Sequence, residues 1–529
     1  MKKYTFISLL CSITLVISTP ARAYDHPHDD SEVCIKCGTP EIMRQLSLGT
    51  FKIAQRPDME VSIVSSGGHF RVHYDSTGYH APEPVDDNGN GIPDYVDSTL
   101  VYLEYAWDLI INQLGYPEPL SDNGRGGGDE IDVYLLELVN TYGYTHPDNA
   151  YLTSTSAYIE IDNDFANSAF KTNGYEALKV TTAHEFFHTI HFRYFYEMQM
   201  NWWMEQTAVW MEDRAWDDVN DYIYYLYLFF DENEKPLDSN DYFKYGATLW
   251  AHYLANRFGD DIIKDIWEMV SEEQSYRIDP FDEVIPIGLG NAFGEFAAWN
   301  YFTGSRSNTE DFYPDSDIFD EMVTLDGSAK ISPAEDSLFT RYLTSRYVEL
   351  LFVGDWQETD TLRVNITPLN YGSFVTSVIF YNDPYDYRID TVDTGVSKLS
   401  FKKAWNRAVL VTSCTKTSGV QYDYSFEADV IKGEVGVEEE PLYAFDIHGA
   451  YPNPFNPTTT LSFSLPESGE VTVQVFNALG QKVDDLFTGR LTAGEKRLLW
   501  QPSGLSGGLY LIRVTTPWGM KTVKTLLLK

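Results

Sequence analysis

The spacing of apolar residues changes near residue 334, and this change limits the folds that the chain can adopt. Before it, helical runs such as Leu178 to Tyr196 alternate with strand-like runs such as Ile131 to Leu138. After it, short alternating runs such as Thr361 to Ile366 and Phe374 to Tyr381 are separated by turn residues. Mixed periods are typical of α+β domains, whereas evenly spaced short strands are typical of β-sandwiches. The sequence therefore predicts a multidomain protein, in which an α+β domain is followed by two all-β immunoglobulin-like sandwiches.

The length supports this division, because 529 residues are too many for one ordinary domain. Hydrophobic residues make up 43% of the chain and aromatic residues 15%, which is enough for several packed cores. Shifts in composition predict the segment boundaries. The segments are a signal peptide at 1–23, an N-terminal arm or propeptide at 24–65, the α+β domain at 66–333, a β-sandwich at 334–431, an acidic linker at 432–447 and a C-terminal domain at 448–529.

The first residues have the pattern of an export signal. Lys2 and Lys3 supply positive charge, Phe6 to Ile17 is a short apolar run, and Ala21 to Ala23 fits a cleavage site for small residues. A transmembrane anchor is the alternative, but the run is short for a bilayer, and no later stretch is long enough either. We therefore expect a chain that is exported through the periplasm and then secreted or held at the cell surface, with no transmembrane segment in the mature protein.

The chain is strongly acidic, with 38 basic residues, 79 acidic residues and a formal net charge of -41. Such a surface repels phosphate backbones, so the composition excludes nucleic acid as a partner. Three cysteines follow the signal segment, Cys34, Cys37 and Cys414, which is too few for a disulfide-based scaffold. The pair Cys34-Ile35-Lys36-Cys37 has three interpretations. It is a local disulfide, which an isolated pair favours, a metal clamp, or a latency device in a propeptide.

A His-Glu-Phe-Phe-His motif at residues 184–188 lies inside the longest helical run. Residues four apart share a helical face, so His184 and His188 can reach one ion, and nitrogen ligands at this spacing suit zinc. Glu185 lies beside them and is a candidate general base for a metal-activated water. The alternative is a chance match on a core helix, because this motif alone has false positives.

A catalytic zinc site needs a third protein ligand and an open position for water. The helical run from Met204 to Trp216 supplies Glu205 as the expected third ligand. Glu212, seven residues later, falls on the same face and is expected to orient a ligand rather than to bind the ion. His191 is a rival third ligand, but a straight helix does not bring three such histidines onto one ion, and no glycine breaks the helix. We therefore expect His191 to support a ligand or to lie in the core.

The HExxH motif, followed by Trp202-x-x-Glu205 and Glu212, resembles the gluzincin arrangement of aminopeptidase N and the leukotriene hydrolases. In those proteins the second motif reads Trp-x-x-Glu-Gly. The resemblance implies a zincin-like catalytic domain with Glu205 as the third zinc ligand. Gln206 stands in place of the family glycine, and the aminopeptidase motif Gly-x-Met-Glu-Asn is missing from the sequence. The resemblance therefore favours an endopeptidase over an exopeptidase that reads a free amino terminus.

A second resemblance covers Asp86 to Arg306, which is similar to a group of uncharacterised secreted bacterial proteins of metallopeptidase type. Together these features predict a zinc peptidase that hydrolyses peptide bonds by metal-activated water. Tyr245 is a candidate oxyanion partner by its similarity to gluzincin tyrosines, although a packed core tyrosine is the simpler interpretation. The strand from Tyr158 to Asp162 is expected to be the sheet edge that pairs with an extended peptide substrate. The alternative function is a catalytically inactive zincin-like binding protein at the cell surface.

Residues 86–97 match the pattern of a calcium-binding loop. Its expected ligands are Asp86, Asn88, Asn90, the carbonyl group of Ile92, Asp94 and Asp97. Gly91 occupies the position of the sharp turn, and Asp97 replaces the usual glutamate. The pattern predicts a structural Ca²⁺ site, and a polar turn is the alternative. A second acidic, glycine-rich stretch from Asp122 to Asp132 is a weaker candidate for another ion.

The last segment combines three motifs, which lie at Ala450 to Pro457, Phe476 to Gln481 and Ser506 to Tyr510. Short strands with glycine at their turns predict a compact sandwich. Together the motifs closely resemble the C-terminal sorting domain of type IX secretion. The resemblance implies that the type IX secretion machinery is a partner and carries the chain across the outer membrane. A generic adhesion-type sandwich is the alternative.

Overall fold

The computed structural model describes residues 34–48, 56–149, 152–319, 323–331, 334–352, 357–405, 407–433, 445–466, 468–491, 494–502 and 504–528. The predicted signal peptide and most of the acidic linker lie outside these residues. The chain divides into two compact units, Met1–Gly433 and Glu434–Lys529, and each is described by itself.

A five-stranded mixed sheet forms the N-terminal part of the first unit, in the order β1-β2-β3-β5-β4. The strands are β1 (Val61–Val64), β2 (Phe70–Tyr74), β3 (Ile131–Leu136), β4 (Gly143–Pro147) and β5 (Ala157–Asp162). Strands β2, β3 and β5 are parallel, whereas β1 and β4 are antiparallel to their neighbours. The predicted substrate-binding edge at Tyr158 to Asp162 is therefore wrong, because β4 pairs with β5 and forms the edge itself.

Ten α-helices lie in the described part of the first unit. They are α1 (Thr39–Ser47), α2 (Asp94–Trp107), α3 (Gly174–Tyr194), α4 (Asn201–Ala215), α5 (Leu226–Asp231), α6 (Phe243–Gly246), α7 (Leu249–Phe258), α8 (Asp261–Glu273), α9 (Phe281–Val284) and α10 (Leu289–Tyr301). A π-helical turn, Asp108–Gln113, continues α2, and a 3-10 turn, Asp221–Tyr225, precedes α5. The helical runs read from the sequence are therefore all present, with ends shifted by a few residues.

The helix α3 is a core helix that is buried on almost every side. Phe186 packs edge-on against Phe70 of β2 and stacks on Trp107 of α2. Full burial of a large apolar side chain contributes about 1.5–3 kcal/mol, so these contacts hold the helix firmly against the sheet. A helix that is buried on all sides has no contact with solvent, so water cannot hydrogen-bond to its polar side chains. The histidines and the glutamate of its motif must therefore find partners inside the protein.

Nine further strands of the first unit form two sheets, in the orders β11-β10-β13-β8-β6 and β12-β9-β14-β7. The strands are β6 (Gly327–Ile331), β7 (Ala334–Thr340), β8 (Ser345–Phe352), β9 (Thr361–Pro368), β10 (Phe374–Asp383), β11 (Asp386–Val392), β12 (Gly395–Ser400), β13 (Arg407–Cys414) and β14 (Tyr422–Ile431). Leu362, Phe380 and Phe426 belong to the core that the two sheets share. Ile379 and Val409 belong instead to the core that contains α10, so this sandwich packs directly onto the α/β region.

The described residues of the second unit form seven strands in two sheets, ordered β15-β16-β19 and β18-β17-β20-β21. They are β15 (Asp446–Tyr451), β16 (Thr459–Leu465), β17 (Gly469–Asn477), β18 (Lys482–Leu491), β19 (Gly494–Trp500), β20 (Gly508–Thr516) and β21 (Gly519–Leu527). Phe463, Val473 and Trp500 pack in its core. The prediction of an α/β region followed by β-sheets is thus confirmed at this level. Among the described residues, no helix combines the length and the hydropathy that crossing a membrane requires.

Candidate metal centre

Four buried side chains converge between α3, α4 and the segment that precedes α1. The Nε2 atoms of His184 and His188 lie 3.0 Å apart. The carboxylate of Glu205 on α4 lies 3.2 Å from Nε2 of His188 and 3.6 Å from Nε2 of His184. The Sγ atom of Cys37 lies 3.5 Å from Nε2 of His188. One potential ligand atom from each of these four residues lies within 4.8 Å of the others.

These separations fit a tetrahedral zinc ion. Zinc–nitrogen bonds of about 2.0 Å and zinc–sulfur bonds of about 2.3 Å place ligand atoms roughly 3.3–3.6 Å apart. The distances of 3.0, 3.2, 3.5 and 3.6 Å around His184 and His188 scatter closely about that range. Neither carboxylate oxygen of Glu205 accepts a hydrogen bond from the described residues, although both are buried. A buried carboxylate is costly unless positive charge lies beside it, which either a bound cation or the charged rings of His184 and His188 would supply.

The charges around His184 and His188 also favour positive charge at this site. Burial alone lowers the pKa of His184, but Glu205 and Glu212 outweigh it and raise that pKa to about 10. Burial raises the pKa of Glu205, but His188 and His184 reverse this and hold it well below its usual value. Both shifts have one physical cause, since the buried carboxylates favour positive charge at the centre of the site. A divalent cation in that place would supply this charge, and it remains a prediction.

Glu212 contacts a predicted ligand, as its place on the helix suggested. Its Oε1 atom lies 2.6 Å from Nδ1 of His184, and this contact fixes the ring with Nε2 directed into the site. Its Oε2 atom accepts a hydrogen bond of 2.7 Å from Nζ of Lys36. The ammonium group of Lys36 also pairs with Asp221. A chain of charges therefore runs from the segment before α1 to the first histidine.

His191 lies outside the cluster of potential ligand atoms and contacts His188 instead. Its Nδ1 atom lies 3.1 Å from Nδ1 of His188, and its Nε2 atom lies 3.1 Å from the hydroxyl group of Thr207. The ring also stacks on Trp267, with centroids 4.4 Å apart. Burial, with the neighbouring His188, lowers the pKa of His191 well below its usual value, so the ring is neutral. It positions His188 and Thr207 rather than an ion.

Glu185 is fully buried and faces the edge strand β4. The hydroxyl group of Thr145 lies 2.6 Å from Oε2 of Glu185, whereas Oε1 has no hydrogen-bond partner among the described residues. A Cβ atom at Gly143 would lie 2.8 Å from Cγ and 2.9 Å from Oε1 of Glu185. Only glycine therefore lets β4 approach this carboxylate so closely. One oxygen of Glu185 is held and the other remains available for proton transfer.

Tyr245 of α6 is buried at the same site. Its hydroxyl group donates a hydrogen bond of 3.4 Å to the backbone carbonyl of Cys37. Burial, together with the charge of Glu205, raises the pKa of Tyr245 well above its usual value, so the phenol keeps its proton. The phenol is thus a hydrogen-bond donor, and its role as an oxyanion partner remains a prediction.

The interpretation of Cys34 and Cys37 as a local disulfide is wrong in this structure, because both are free thiols. The side chain of Cys37 instead faces His188. The sequence offered a metal clamp as one interpretation of this pair but did not place Cys37 beside His184 and His188, and it missed Lys36 as a partner of Glu212. The CxxC pair was the available signal, but its spacing does not tell which distant group a cysteine contacts.

The predicted calcium loop closes on itself. Backbone N–H groups of Asn90 and Gly91 donate to the Asp86 carboxylate at 3.1 and 2.9 Å. The side-chain amides of Asn88 and Asn90 both donate to the carboxylate of Asp97 at 2.8 Å. Gly91 has a φ of +86°, as a sharp turn requires. Asp94 begins α2 and accepts from the backbone of the loop. These hydrogen bonds join the side chains of Asp86, Asn88, Asn90, Asp94 and Asp97 to groups within the loop, and Ca²⁺ remains a prediction.

We assign no ion to two other clusters of acidic residues. In the stretch from Asp122 to Asp132, both of these aspartates pair with Arg56, so a guanidinium group supplies the positive charge there. Oxygens of Asp213, Asp217 and Asp315 also lie within 4.8 Å of one another beside a cavity. Asp217 is exposed, and partly exposed carboxylates often cluster without an ion.

Two family models match the chain. Residues 449–529 match the secretion system C-terminal sorting domain. This confirms the predicted type IX sorting domain, so the protein is secreted or held at the cell surface and the type IX secretion machinery is its partner. Residues 59–283 match a family of unknown function (DUF6055), which carries no assigned activity. The peptidase activity and both metal ions therefore remain predictions.

No curated protein matches the chain. Three solved structures are weakly similar. The first is a β-1,2-glucanase from Parabacteroides distasonis, with 11% identity over 37% of this chain and 33% of that chain and a TM-score of 0.15. The second is tripeptidyl peptidase 2, with 9% identity over 39% of this chain and 31% of that chain and a TM-score of 0.16. The third is the adhesin domain of Epf from Streptococcus pyogenes, with 11% identity over 37% of this chain and 73% of that chain and a TM-score of 0.13. This chain thus spans about a third of the first two proteins, and such TM-scores support no argument about fold or function.

Proposed function

We propose that the chain is a secreted zinc-dependent peptidase of the zincin-like type, acting as an endopeptidase. The observation that carries the proposal is the convergence of His184, His188 and Glu205 on one buried point. These residues come from two helices, and their separations match tetrahedral zinc. Glu185 lies beside them with one unpartnered carboxylate oxygen. This combination of ligands and a free base is the minimum that metal-assisted peptide hydrolysis requires.

In the proposed mechanism, a zinc ion held by His184, His188 and Glu205 would polarise the scissile carbonyl group and acidify a water molecule. Glu185 takes the proton of the attacking water on its free carboxylate oxygen and later gives it to the leaving amine. Thr145 holds the other oxygen by its hydrogen bond of 2.6 Å, which keeps the carboxylate in one orientation during both transfers.

Tyr245 is the proposed oxyanion partner. Its hydroxyl group already donates to a backbone carbonyl, that of Cys37, directly beside the ligand set. A substrate carbonyl in the same place would accept the same hydrogen bond. Loss of one such donor typically lowers kcat by about 10²–10³-fold.

An extended peptide fits the edge of the sheet beside the site. The backbone of residues 35–38 pairs with the outer side of the edge strand β4 and with the residues just before it, so this edge accepts a further stretch of chain. Strand addition of this kind binds a peptide without contacting either chain end. This supports cleavage within a chain rather than at its terminus.

A second candidate is a catalytically inactive zincin-like protein with a binding role at the cell surface. Cys37 favours it, because a fourth protein ligand gives a closed site, which is typical of structural zinc. The two candidates make opposite predictions about hydrolysis once Cys37 is replaced.

Digestion of a peptide library by the full chain and by its Cys37→Ser variant tests the proposal. Adding Glu185→Gln to Cys37→Ser should abolish cleavage while zinc, measured by mass spectrometry, stays bound. Glu176→Gln, an exposed change on the same helix, is the matched control and should cleave normally. If the full chain and Cys37→Ser both bind zinc and neither cleaves any peptide, the closed binding protein is the better account.

A further inference from the structure

Residues 35–39 run along the edge of the sheet beside the candidate site, with bends at Lys36 and Gly38 and the start of α1 at Thr39. The backbone N–H group of Ile35 donates to Asn140 at 2.8 Å, and its carbonyl accepts from Tyr142 at 3.1 Å. The N–H group of Gly38 donates to the carbonyl of Gly143 at 2.9 Å. The hydroxyl group of Thr39 accepts from the backbone of Thr145 at 2.8 Å. The segment therefore occupies the sheet edge where a peptide substrate would bind.

The segment also fills the chemical centre of the site. Cys37 is only 3% exposed, and its thiol takes the place beside His188 that a catalytic site leaves to water. Its carbonyl group holds the hydroxyl of Tyr245. A Cβ atom at Gly38 would lie 1.8 Å from the ring of Tyr144, so the chain passes this ring at a distance that only glycine allows.

Lys36 fills a separate, acidic pocket next to the metal centre. The side chain is 3% exposed, and its ammonium group contacts the carboxylates of Glu212 and Asp221. The rings of Tyr142 and Tyr225 lie 4.9 and 5.5 Å from Nζ, within the range of cation–π attraction. Two carboxylates and two aromatic faces thus surround one positive charge.

The two carboxylates of this pocket favour a positively charged side chain, and the length of that side chain matters less. Glu212 and Asp221 are both about 1% exposed. If Lys36 leaves, two buried carboxylates lose their shared cation, which is strongly unfavourable. A neutral side chain leaves that charge uncompensated, whereas a Lys or Arg side chain restores it.

We propose that residues 35–39 are an inhibitory segment within the binding cleft, and that the Lys36 pocket accepts a Lys or Arg side chain of a peptide substrate when the segment is displaced. This inference rests on the proposed peptidase function. Cys37 closes the metal centre while the segment is bound, and Lys36 occupies the pocket that determines substrate preference.

The first test measures whether Cys37 binds the metal in the full chain. Cobalt(II) is exchanged into the site under a phosphine reductant, which keeps Cys34 and Cys37 reduced. We expect a near-ultraviolet thiolate-to-cobalt charge-transfer band in the wild-type chain and in Cys34→Ser, and its loss in Cys37→Ser. Cys37→Ser should also cleave a Lys-containing peptide about tenfold faster than wild type, with Cys34→Ser unchanged. Bound cobalt without the band, or equal rates in all three proteins, overturns the inhibitory role.

The second test measures the pocket in the Cys37→Ser chain, with two peptides that differ only in Lys against Met at one position. We expect the Lys peptide to have a kcat/KM about tenfold higher, and Asp221→Asn to remove this preference. Asp218→Asn is the matched control, because that carboxylate is 75% exposed and pairs with Lys179 at 3.5 Å instead. Equal kcat/KM values for the two peptides, or a preference that survives Asp221→Asn, overturn the pocket assignment.

If Asp221→Asn does not fold, a second variant tests the pocket instead. Lys36→Met in the full chain removes the ion pair from the segment side, so cleavage of the Lys peptide should rise, whereas the exposed change Arg44→Met should leave it unchanged. An unchanged rate in Lys36→Met contradicts the inference. Failure of the function itself looks different, because then no variant cleaves either peptide although the metal is bound.

Discussion

Oε1 of Glu212 lies 2.6 Å from Nδ1 of His184, although the two residues are 28 positions apart on different helices. The contact directs Nε2 of His184 toward His188 and Glu205. The same carboxylate accepts from Lys36 through its other oxygen. Glu212 therefore links the candidate metal centre to Lys36.

Replacement of Glu212 by Gln should weaken zinc binding by about 10–100-fold, because the imidazole of His184 loses the charged group that fixes its orientation. Competition with a chelator of known zinc affinity measures this change. The exposed Glu176→Gln provides the comparison. Equal zinc affinity in the two variants would show that Glu212 does not position His184.

Replacement of Gly143 by Ala should lower kcat by about 10²-fold, with a smaller effect on zinc content. The added Cβ would lie 2.8 Å from Cγ of Glu185 and 3.0 Å from the backbone oxygen of Glu160, so the carboxylate or the strand must move. Gly327→Ala is the control, because nothing lies within 4 Å of the Cβ it would add. Normal kcat in Gly143→Ala would contradict the proposed place of Glu185 as the base.

Asp162 makes stability depend on pH. Burial raises its pKa to about 6, although backbone N–H groups of Leu138 and Phe165 oppose the rise. Because the folded-state pKa lies above the unfolded value of about 3.9, its favourable contribution is complete below that value and is lost as pH rises through 6. Asn cannot ionise, so the unfolding free energy of Asp162→Asn minus that of wild type should increase by up to about 3 kcal/mol from pH 4 to pH 7.

Urea unfolding at several pH values, followed by tryptophan fluorescence, measures this difference. The exposed Asp58→Asn should show a difference that does not change with pH. A pH-independent difference for Asp162→Asn would contradict the assigned role of burial.

Calcium should stabilise the first unit through the loop at residues 86–97. Saturation at 100 times Kd adds about 2.7 kcal/mol, which corresponds to a rise in Tm on the order of 5 °C. Asp86→Ala should abolish this rise, because its carboxylate anchors Asn90 and Gly91. Asp87→Ala should retain it, since the side chain of Asp87 lies outside the predicted ligand positions. The same calcium response in both variants would exclude this loop as the site.

Much of the site followed from local rules. The four-residue spacing of His184 and His188 fixed their shared helical face, and the dense aromatic run around Glu205 indicated that it is buried. The helices and most strands could likewise be predicted from short-range patterns in the sequence. Strand β18 alternates imperfectly and stays half-exposed, so its sequence carries little strand signal.

The remaining features depend on contacts between distant parts of the chain. The hydrogen bond from Lys36 to Glu212 joins residues 176 positions apart, and the contact of Cys37 with His188 joins residues 151 positions apart. No periodicity encodes such pairs. The edge position of β4 likewise arises from its antiparallel return beside β5, whereas strand order along the chain suggested β5 itself.

The zinc content of the purified full-length chain tests the central claim most directly. After dialysis and with metals measured by mass spectrometry, we expect one zinc ion per chain, lost in His188→Ala and retained in His448→Ala, an exposed histidine of the second unit. A wild-type chain without zinc, or a His188→Ala variant that keeps it, would contradict the claim that His184, His188 and Glu205 form a metal centre.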